Sequence, residues 1–477
     1  MRSGTGKADL LASSVVFLVA LPLCVGVAMA SGVPAELGLV TGIVGGLVAG
    51  ALPGSSLQVS GPAAGLTVLV YEAVHTYGVE ALGVLVLSAG LLQLGLGALR
   101  CGRWFRAVSG AVVHGMLAGI GLVLLVGQVY PLGDATAPAS GLGKITGLVT
   151  LPGLVDPVAL SVGGATIAVL VLWPRWRRGA RVAPAPLVAV VAVSVVTGVF
   201  DLGVRRVEVR GLLDAVRVPG VSDVGRLADV GVIGTVVAFT LIASAESLFS
   251  AAAVDRMHRG PRTDYDRELM SQGVGNTVCG LLGALPMTAV IVRSAANVRA
   301  GARTKASRVL HGVWLLLFTA VVPGVLGLIP VAALAGLLVH AGCKLIPVRE
   351  VRLLWRGHRG EVLVLVVTTV AIVVGNLFEG VLIGLAVAIA KTAWETSLVH
   401  VETADDPDGG LVVRILGHAT FLRLPKLLDA LEALPRDRAV RLELGGLRHV
   451  DHACAAALEG WAAARDHGRA ATSSSTT

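Results

Sequence analysis

Few architectures suit a hydrophobic chain that breaks twice in nearly the same way. Residues 50–65 read GALPGSSLQVSGPAAG and residues 283–301 read GALPMTAVIVRSAANVRAG, each after a long apolar run, with the shared GALP stretches about 233 positions apart. Helix breakers at membrane depth free amides that lipid cannot satisfy, so such breaks persist only where the backbone is buried in protein or lines a watery cavity. Interrupted segments at corresponding places in two halves point to a binding site between repeats. Four shared residues in a chain with 61 glycines also arise by chance, so the echo gains weight only from the topology around it.

With 477 residues, 55% of them hydrophobic, the chain carries more apolar surface than a soluble fold of this size would hide, and the mean hydropathy is +0.80. It reads as a polytopic membrane protein. The net charge of +8 does not imply nucleic acid, because of where the charges fall. Arg100/Arg103/Arg106, Arg175/Arg177/Arg178/Arg181, Arg256/Arg259/Arg262, Arg299/Arg303/Lys305/Arg308 and Arg349/Arg352/Arg356/Arg359 sit between apolar runs at spacings that put them on one side of a bilayer, the positive-inside pattern. Residues 201–229 fall on the other side, with five Arg balanced by five acids. Trp104, Trp173, Trp176, Trp355 and Trp394 lie near span ends, as an interfacial belt would. The five cysteines (Cys24, Cys101, Cys279, Cys343, Cys454) have no pairing or metal spacing, so neither a disulfide framework nor a metal site is expected. The first apolar run with Ala28-Met29-Ala30 resembles a signal peptide, but residues 11–30 are long enough to span and many spans follow, so it reads as the first transmembrane helix.

Apolar runs occupy about 12–30, 33–53, 60–76, 80–98, 106–130, 159–174, 185–200, 229–253, 268–284, 287–300, 309–328, 330–346, 361–377 and 379–397. Fourteen segments place both termini on the basic, cytoplasmic side. Seven precede the polar loop and seven follow, and an odd number per half inverts the second half relative to the first. The segments after the two GALP breaks, third and tenth, are then symmetry mates. The transmembrane domain is expected over 1–398, with repeats at about 8–200 and 229–398. Residues 399–468 change composition and read as a small cytoplasmic α/β module, with strands at 411–416 and 439–444 and helices at 424–434 and about 452–465. Residues 469–477 read as a disordered tail.

Glu246 lies well inside an otherwise uncharged span, where an ionisable group costs about 2.5–3.5 kcal/mol on insertion scales and normally marks a functional path. With Ser247, and Ser250 one turn on, it offers oxygen ligands for a small cation or a supported protonatable carboxyl. The plainer reading is a structural carboxylate satisfied by a neighbouring helix. The breaks supply the complement, since a half-helix start presents free amides and a positive dipole end to an anion. Ser60, Gly61 and Pro62 suit such a start, Pro62 having no N–H to lose. Thr288 precedes the second start, and Arg293 near it adds positive potential or else pairs helices. Asn276 and Asn297 read as interhelical glue, and His114, His311 and His340 as structural. No nucleophile elbow, phosphate loop or HExxH set is present, so no enzyme activity is expected.

The stretch LPLCVGVAMASGVPAELGLVTGIVGGLVAGALPGSSLQVSGPAAG resembles the first signature of the SulP (sulfate permease) family, and ESLFSAAAVDRM with QGVGNTVCGLLGALP and RSAANVRAGARTKAS resembles its second-half signature. LELGGLRHVDHACAAALEGW is similar to the STAS domain these transporters carry. The resemblance implies an all-α membrane fold of fourteen spans in a seven-plus-seven inverted repeat, with core and gate domains and usually a homodimer, plus the STAS-like domain. It implies an anion held between the third and tenth helix starts, by Ser60, Gly61, Pro62 and Ala63 on one side and Thr288, Val292 and Arg293 on the other, with cation coupling at Glu246, Ser247 and Ser250. Ala63 and Leu23 lack polar groups found in relatives, which leaves recognition to backbone amides. The module is short, and Asp451 in DHAC stands where related bacterial regulators carry a phosphorylatable serine.

Together these imply a secondary active transporter of a small anion in the bacterial cytoplasmic membrane, with bicarbonate or sulfate as substrate, H+ or Na+ as coupling ion, no other cofactor and elevator-like alternating access. Alternatives are a dicarboxylate transporter, a nucleobase–cation symporter of the same fold, and an uncoupled channel or STAS-linked sensor.

Overall fold

The computed structural model describes residues 2–474 apart from 104–108, 139–140, 177–178, 180–182, 210, 221–222, 224, 226, 228, 408–409 and 436–437. Trp104, Arg106, Arg177, Arg178, Arg181 and the last three residues of the expected tail lie outside the described residues. The chain divides into two compact units, 1–385 and 386–477.

Each of the fourteen apolar runs overlaps one helix. They are α1 (Arg2–Ala30), α2 (Ala35–Val44), α3 (Thr67–Tyr77), α4 (Val79–Ala98), α5 (Gly110–Leu132), α6 (Pro157–Leu172) and α7 (Ala185–Val199). The second set is α8 (Val230–Val254), α9 (Tyr265–Leu281), α10 (Ile291–Arg299), α11 (Ala306–Val321), α12 (Val331–Leu345), α13 (Arg359–Val374) and α14 (Leu377–Thr396). Seven helical stretches are long and apolar enough to cross a membrane alone, and α3 and α10 are short because an extended segment replaces their first turns. Those segments are β1 (Ser60–Pro62) and β2 (Met287–Ala289). Between α12 and α13, Val348–Gly357 forms an amphipathic helix with Arg349, Arg352 and Arg356 on it and Leu353 and Trp355 exposed, the composition of an interfacial helix.

The inverted repeat is written in which helices touch. If α1 corresponds to α8 and so on through α7 and α14, the pair α4–α9 maps onto α11–α2, α4–α8 onto α11–α1, and α5–α13 onto α12–α6; all six pairs pack against each other. Helices α1–α4 thus gather with α8–α11, and α5–α7 with α12 and α13, with α1 also touching α12 and α7 and with Gly380 and Gly384 of α14 against Ile372 and Thr368 of α13.

Without a hydrophobic drive between helices in lipid, close packing depends on small residues. On α4, Gly83, Gly90 and Gly97 recur every seven residues; a Cβ on Gly83 would meet Pro219 and the Gly280 carbonyl, on Gly90 the backbone at Asn276 and Thr277, and on Gly97 Met270. Gly280 of α9 faces the backbone of Leu87 in return. Gly46, in the π-helical turn that extends α2, and Gly312 of α11 pack Cα against Cα.

The second unit begins within α14 at residue 386. Its sheet has β4 (Leu411–Ala419) at the centre, antiparallel to β3 (Val399–Asp405) and parallel to β5 (Val440–Glu443) and β6 (Leu447–Val450). Helices α15 (Leu424–Glu432) and α16 (His452–Ser474) complete it, over a core that includes Val399, Val413, Ile415, Leu427, Leu431 and Cys454. This small α/β unit fits a STAS-type domain. The first strand, β3, goes unread in the sequence because its exposed residues are polar (VHVETAD). Helix α16 continues to Ser474, into the stretch read as a tail.

The glycine ridge sets a test. Gly90→Leu overpacks the α4–α9 contact and lowers the apparent melting temperature of the purified protein, with overpacking of about 1–3 kcal/mol. Gly95→Leu on the same helix, where a Cβ meets nothing within 4 Å, leaves it unchanged. Equal melting of both variants would refute the packing role.

Candidate functional site

The two sequence breaks meet. β1 and β2 pair antiparallel, with Ser60 opposite Ala289, Gly61 opposite Thr288 and Pro62 opposite Met287. The Val290 amide adds a bond to the Val59 carbonyl at 2.9 Å. Each broken helix therefore satisfies the backbone of the other, the condition under which non-helical chain survives at membrane depth. Because the ribbon is antiparallel, α3 and α10 leave it from opposite ends, and their starts point inward from two directions. The amides of Ala63, Ala64 and Gly65 precede the first bond of the α3 turn, Leu66 N to Ala63 O. Those of Ile291, Val292 and Arg293 precede the first bond of α10, Ser294 N to Val290 O.

Polar side chains from neighbouring helices hold the ribbon. The Asn276 side chain bonds both backbone groups of Met287, accepting from its N–H at 2.7 Å and donating to its carbonyl at 3.1 Å, and it also donates to Gln93 Oε1 at 2.7 Å. Gln272 Nε2 donates to Ser60 Oγ and to Glu268 Oε1, each at 2.7 Å. Ser294 Oγ accepts from Val59 N at 2.9 Å, and Asn297 Nδ2 donates to the Leu57 carbonyl at 2.9 Å. The approach to β1 is clamped as well: Glu268 Oε2 accepts from Ser55 N at 2.7 Å and Arg308 Nη2 donates to the Leu52 carbonyl at 2.8 Å.

Glu246 belongs to this site although it lies in neither break. A Cβ on Gly65 would come within 2.5 Å of Glu246 Oε1, so the carboxyl stands directly against the start of α3, and its buried Oε2 has no hydrogen-bond partner. Ser247 ties α8 to the ribbon, its Oγ accepting from Ala289 N at 3.2 Å and its carbonyl from Gln58 Nε2 at 3.1 Å. Ser250, also buried, lies one turn further along α8.

Arg293 is fully buried. Its Nη2 donates to the Pro62 carbonyl at 3.4 Å, its Nη1 presses on Gly61, and neither Nη1 nor Nε has a hydrogen-bond partner. Among the described residues no carboxylate lies within ion-pair distance of it. Ser60, Gly61, Pro62, Ala63 and Thr288 are buried at the ribbon, whereas Val292, one residue into α10, is 52% exposed. Sequence reading named neither Gln272 nor Glu268; a Glu and a Gln four residues apart at the start of the ninth run were the available signal.

In the second unit, Asp451 caps α16. Its Oδ1 accepts from Cys454 N at 2.9 Å and its Oδ2 from Phe421 N at 2.5 Å, and these backbone donors hold its carboxyl below the usual aspartate range. The aspartate that stands in place of a phosphorylatable serine thus serves the helix end. A depressed folded pKa means its contribution is complete above the unfolded value of about 3.9 and lost as pH falls through the lower folded value. Asp451→Ala should therefore lower the hydrogen-exchange protection factors of the first-turn amides of α16 in the full-length protein at pH 7, and acidification below pH about 4 should lower the same protection factors, taken relative to intrinsic rates at that pH, in the unaltered chain. Unchanged protection in both would exclude the cap.

The sulfate permease family model matches residues 7–368. The bicarbonate transporter BicA of Synechocystis is 25% identical over 428 residues, 85% of this chain and 74% of that protein. Sulfate transporter 4.1, chloroplastic, of Arabidopsis thaliana is 25% identical over 425 residues, 86% of this chain and 61% of that protein. The murine Solute Carrier 26 family member A9 anion transporter, solved in the inward-facing state, superposes with a TM-score of 0.81 over 98% of this chain and 85% of that one at 17% identity, a likeness of fold.

The Gly65 contact yields a test of the site. Gly65→Val should push the Glu246 carboxyl from the α3 start and abolish the dependence of anion binding on pH or Na+ in the purified protein, with little change in melting temperature; a dependence equal to that of the unaltered chain would remove Glu246 from the site.

Proposed function

Because the chain belongs to the sulfate permease family, a family of anion transporters and not of enzymes, we propose that it carries a small anion, bicarbonate or sulfate, by alternating access coupled to H+ or Na+. The observation that carries this reading is the β1–β2 ribbon with two inward helix starts and Glu246 against one of them. Free amides and dipole ends favour an anion there. Arg293 strengthens the case. A buried guanidinium without a counter-ion is destabilising, and an anion beside the ribbon offsets that charge.

Glu246 supplies the opposite sign. An ionised carboxylate so near the α3 start competes with the anion for the same positive field. Protonating it, or placing Na+ on it with Ser250, removes the competition, so cation and anion bind together. That is the coupling a symporter needs. Recognition through amides selects size and charge over detailed chemistry, which fits the occurrence of both sulfate and bicarbonate among the names of the relatives. The short STAS-type domain resembles the variant carried by bicarbonate-associated members of the family, which favours bicarbonate. Grouping of α1–α4 with α8–α11, and of α5–α7 with α12–α14, supports elevator-like motion of one group against the other. We further infer a homodimer in the bacterial cytoplasmic membrane with both termini cytoplasmic.

Reconstituted uptake of labelled bicarbonate and sulfate under imposed proton or sodium gradients tests this. Glu246→Gln should abolish gradient-driven accumulation, at least tenfold, while preserving anion binding. Saturating flux that ignores both gradients and the substitution would instead mark an uncoupled channel.

A further inference from the structure

A groove of about 470 Å³ runs between α1, α7 and α11, far from the ribbon in chemistry: Ser194 and Arg206 are its polar side chains, and the rest of the lining is apolar or glycine. Phe17 and Phe318, with ring centroids 5.8 Å apart, form part of one wall. Along α7 the lining runs from Leu187 to Val199, about 18 Å at 1.5 Å per residue, which is on the order of one leaflet of a 30 Å hydrocarbon core.

Arg206 closes one end. Its backbone is fixed by a bridge to Pro330, flanked by Val207 N donating to the Ile329 carbonyl at 3.0 Å and Val331 N to the Arg205 carbonyl at 2.9 Å. Arg205 next to it has a carboxylate, Asp134, at 3.8 Å, whereas the Arg206 guanidinium has none within ion-pair distance among the described residues. Ser194 contributes a buried hydroxyl oxygen with no partner. The occupant must therefore have a long apolar body and one anionic end. A soluble anion lacks the body, and a peptide would bury amides against a wall with almost nothing to bond them.

We propose that this groove holds one glycerophospholipid, an acyl chain lying along α7 and the phosphate on Arg206. The site is separate from the anion site and stands whether or not the transport reading holds. Arg206 acts here as a phosphate anchor, a geometry guanidinium suits.

The test is native mass spectrometry of the full-length protein, delipidated in detergent and titrated with dioleoyl-phosphatidylglycerol. One lipid per chain should be held tightly. Arg206→Gln should weaken it at least tenfold, Arg205→Gln should not, and inorganic phosphate should not displace it. Gly198→Trp, at a position where a Cβ meets nothing within 4 Å, should fill the groove and exclude the lipid; Val195→Trp serves if that variant misfolds. Retention by Arg206→Gln and the tryptophan variants at the level of the unaltered chain would overturn the proposal. So would equal loss in Arg205→Gln, or displacement by inorganic phosphate, which would mark a site for the free ion.

Discussion

Two three-residue strands, Ser60–Pro62 and Met287–Ala289, satisfy each other's backbone in the middle of a helical membrane protein, and the remaining features of the site follow from that pairing. Neither break could persist alone, because lipid offers no partner for a freed amide. Once paired, the strands shorten α3 and α10 and aim both helix starts inward. The surrounding polar residues then make sense as supports. Asn276 bonds both backbone groups of Met287, Gln272 holds Ser60, and Asn297 and Arg308 hold the approach at Leu57 and Leu52.

Opposite charges are divided between different elements around this ribbon. Glu246 comes from α8 and meets Gly65, while Arg293 comes from α10 and meets Gly61 and Pro62. Both contacts fall on glycine or on backbone.

Much of the architecture was legible in the sequence. Each apolar run read in the sequence overlaps a helix, and the parity of seven plus seven predicted an inverted pairing that the contacts α4–α9 with α11–α2 and α5–α13 with α12–α6 repeat. The abundance of glycine pointed to close helix packing, but that Gly83, Gly90 and Gly97 form the α4–α9 contact came from the structure. Less was legible where polarity replaced periodicity. The edge strand at 399–405 has no apolar alternation strong enough to announce itself, and the helix through Ser474 occupies residues whose composition suggested a coil.

By itself the sequence determined that the chain is a membrane protein, where its helices lie and which two places the helices break, because burial in lipid imposes length and apolarity on every span. Glu246 was conspicuous for the same reason, as a charge where charges are expensive. Only the tertiary structure decided that the breaks pair with each other, that Glu246 reaches the start of α3 across 181 positions of chain, and that Gln272 and Glu268 serve the ribbon. Those are long-range contacts between short, weakly patterned segments, and local sequence carries no periodic signal for them.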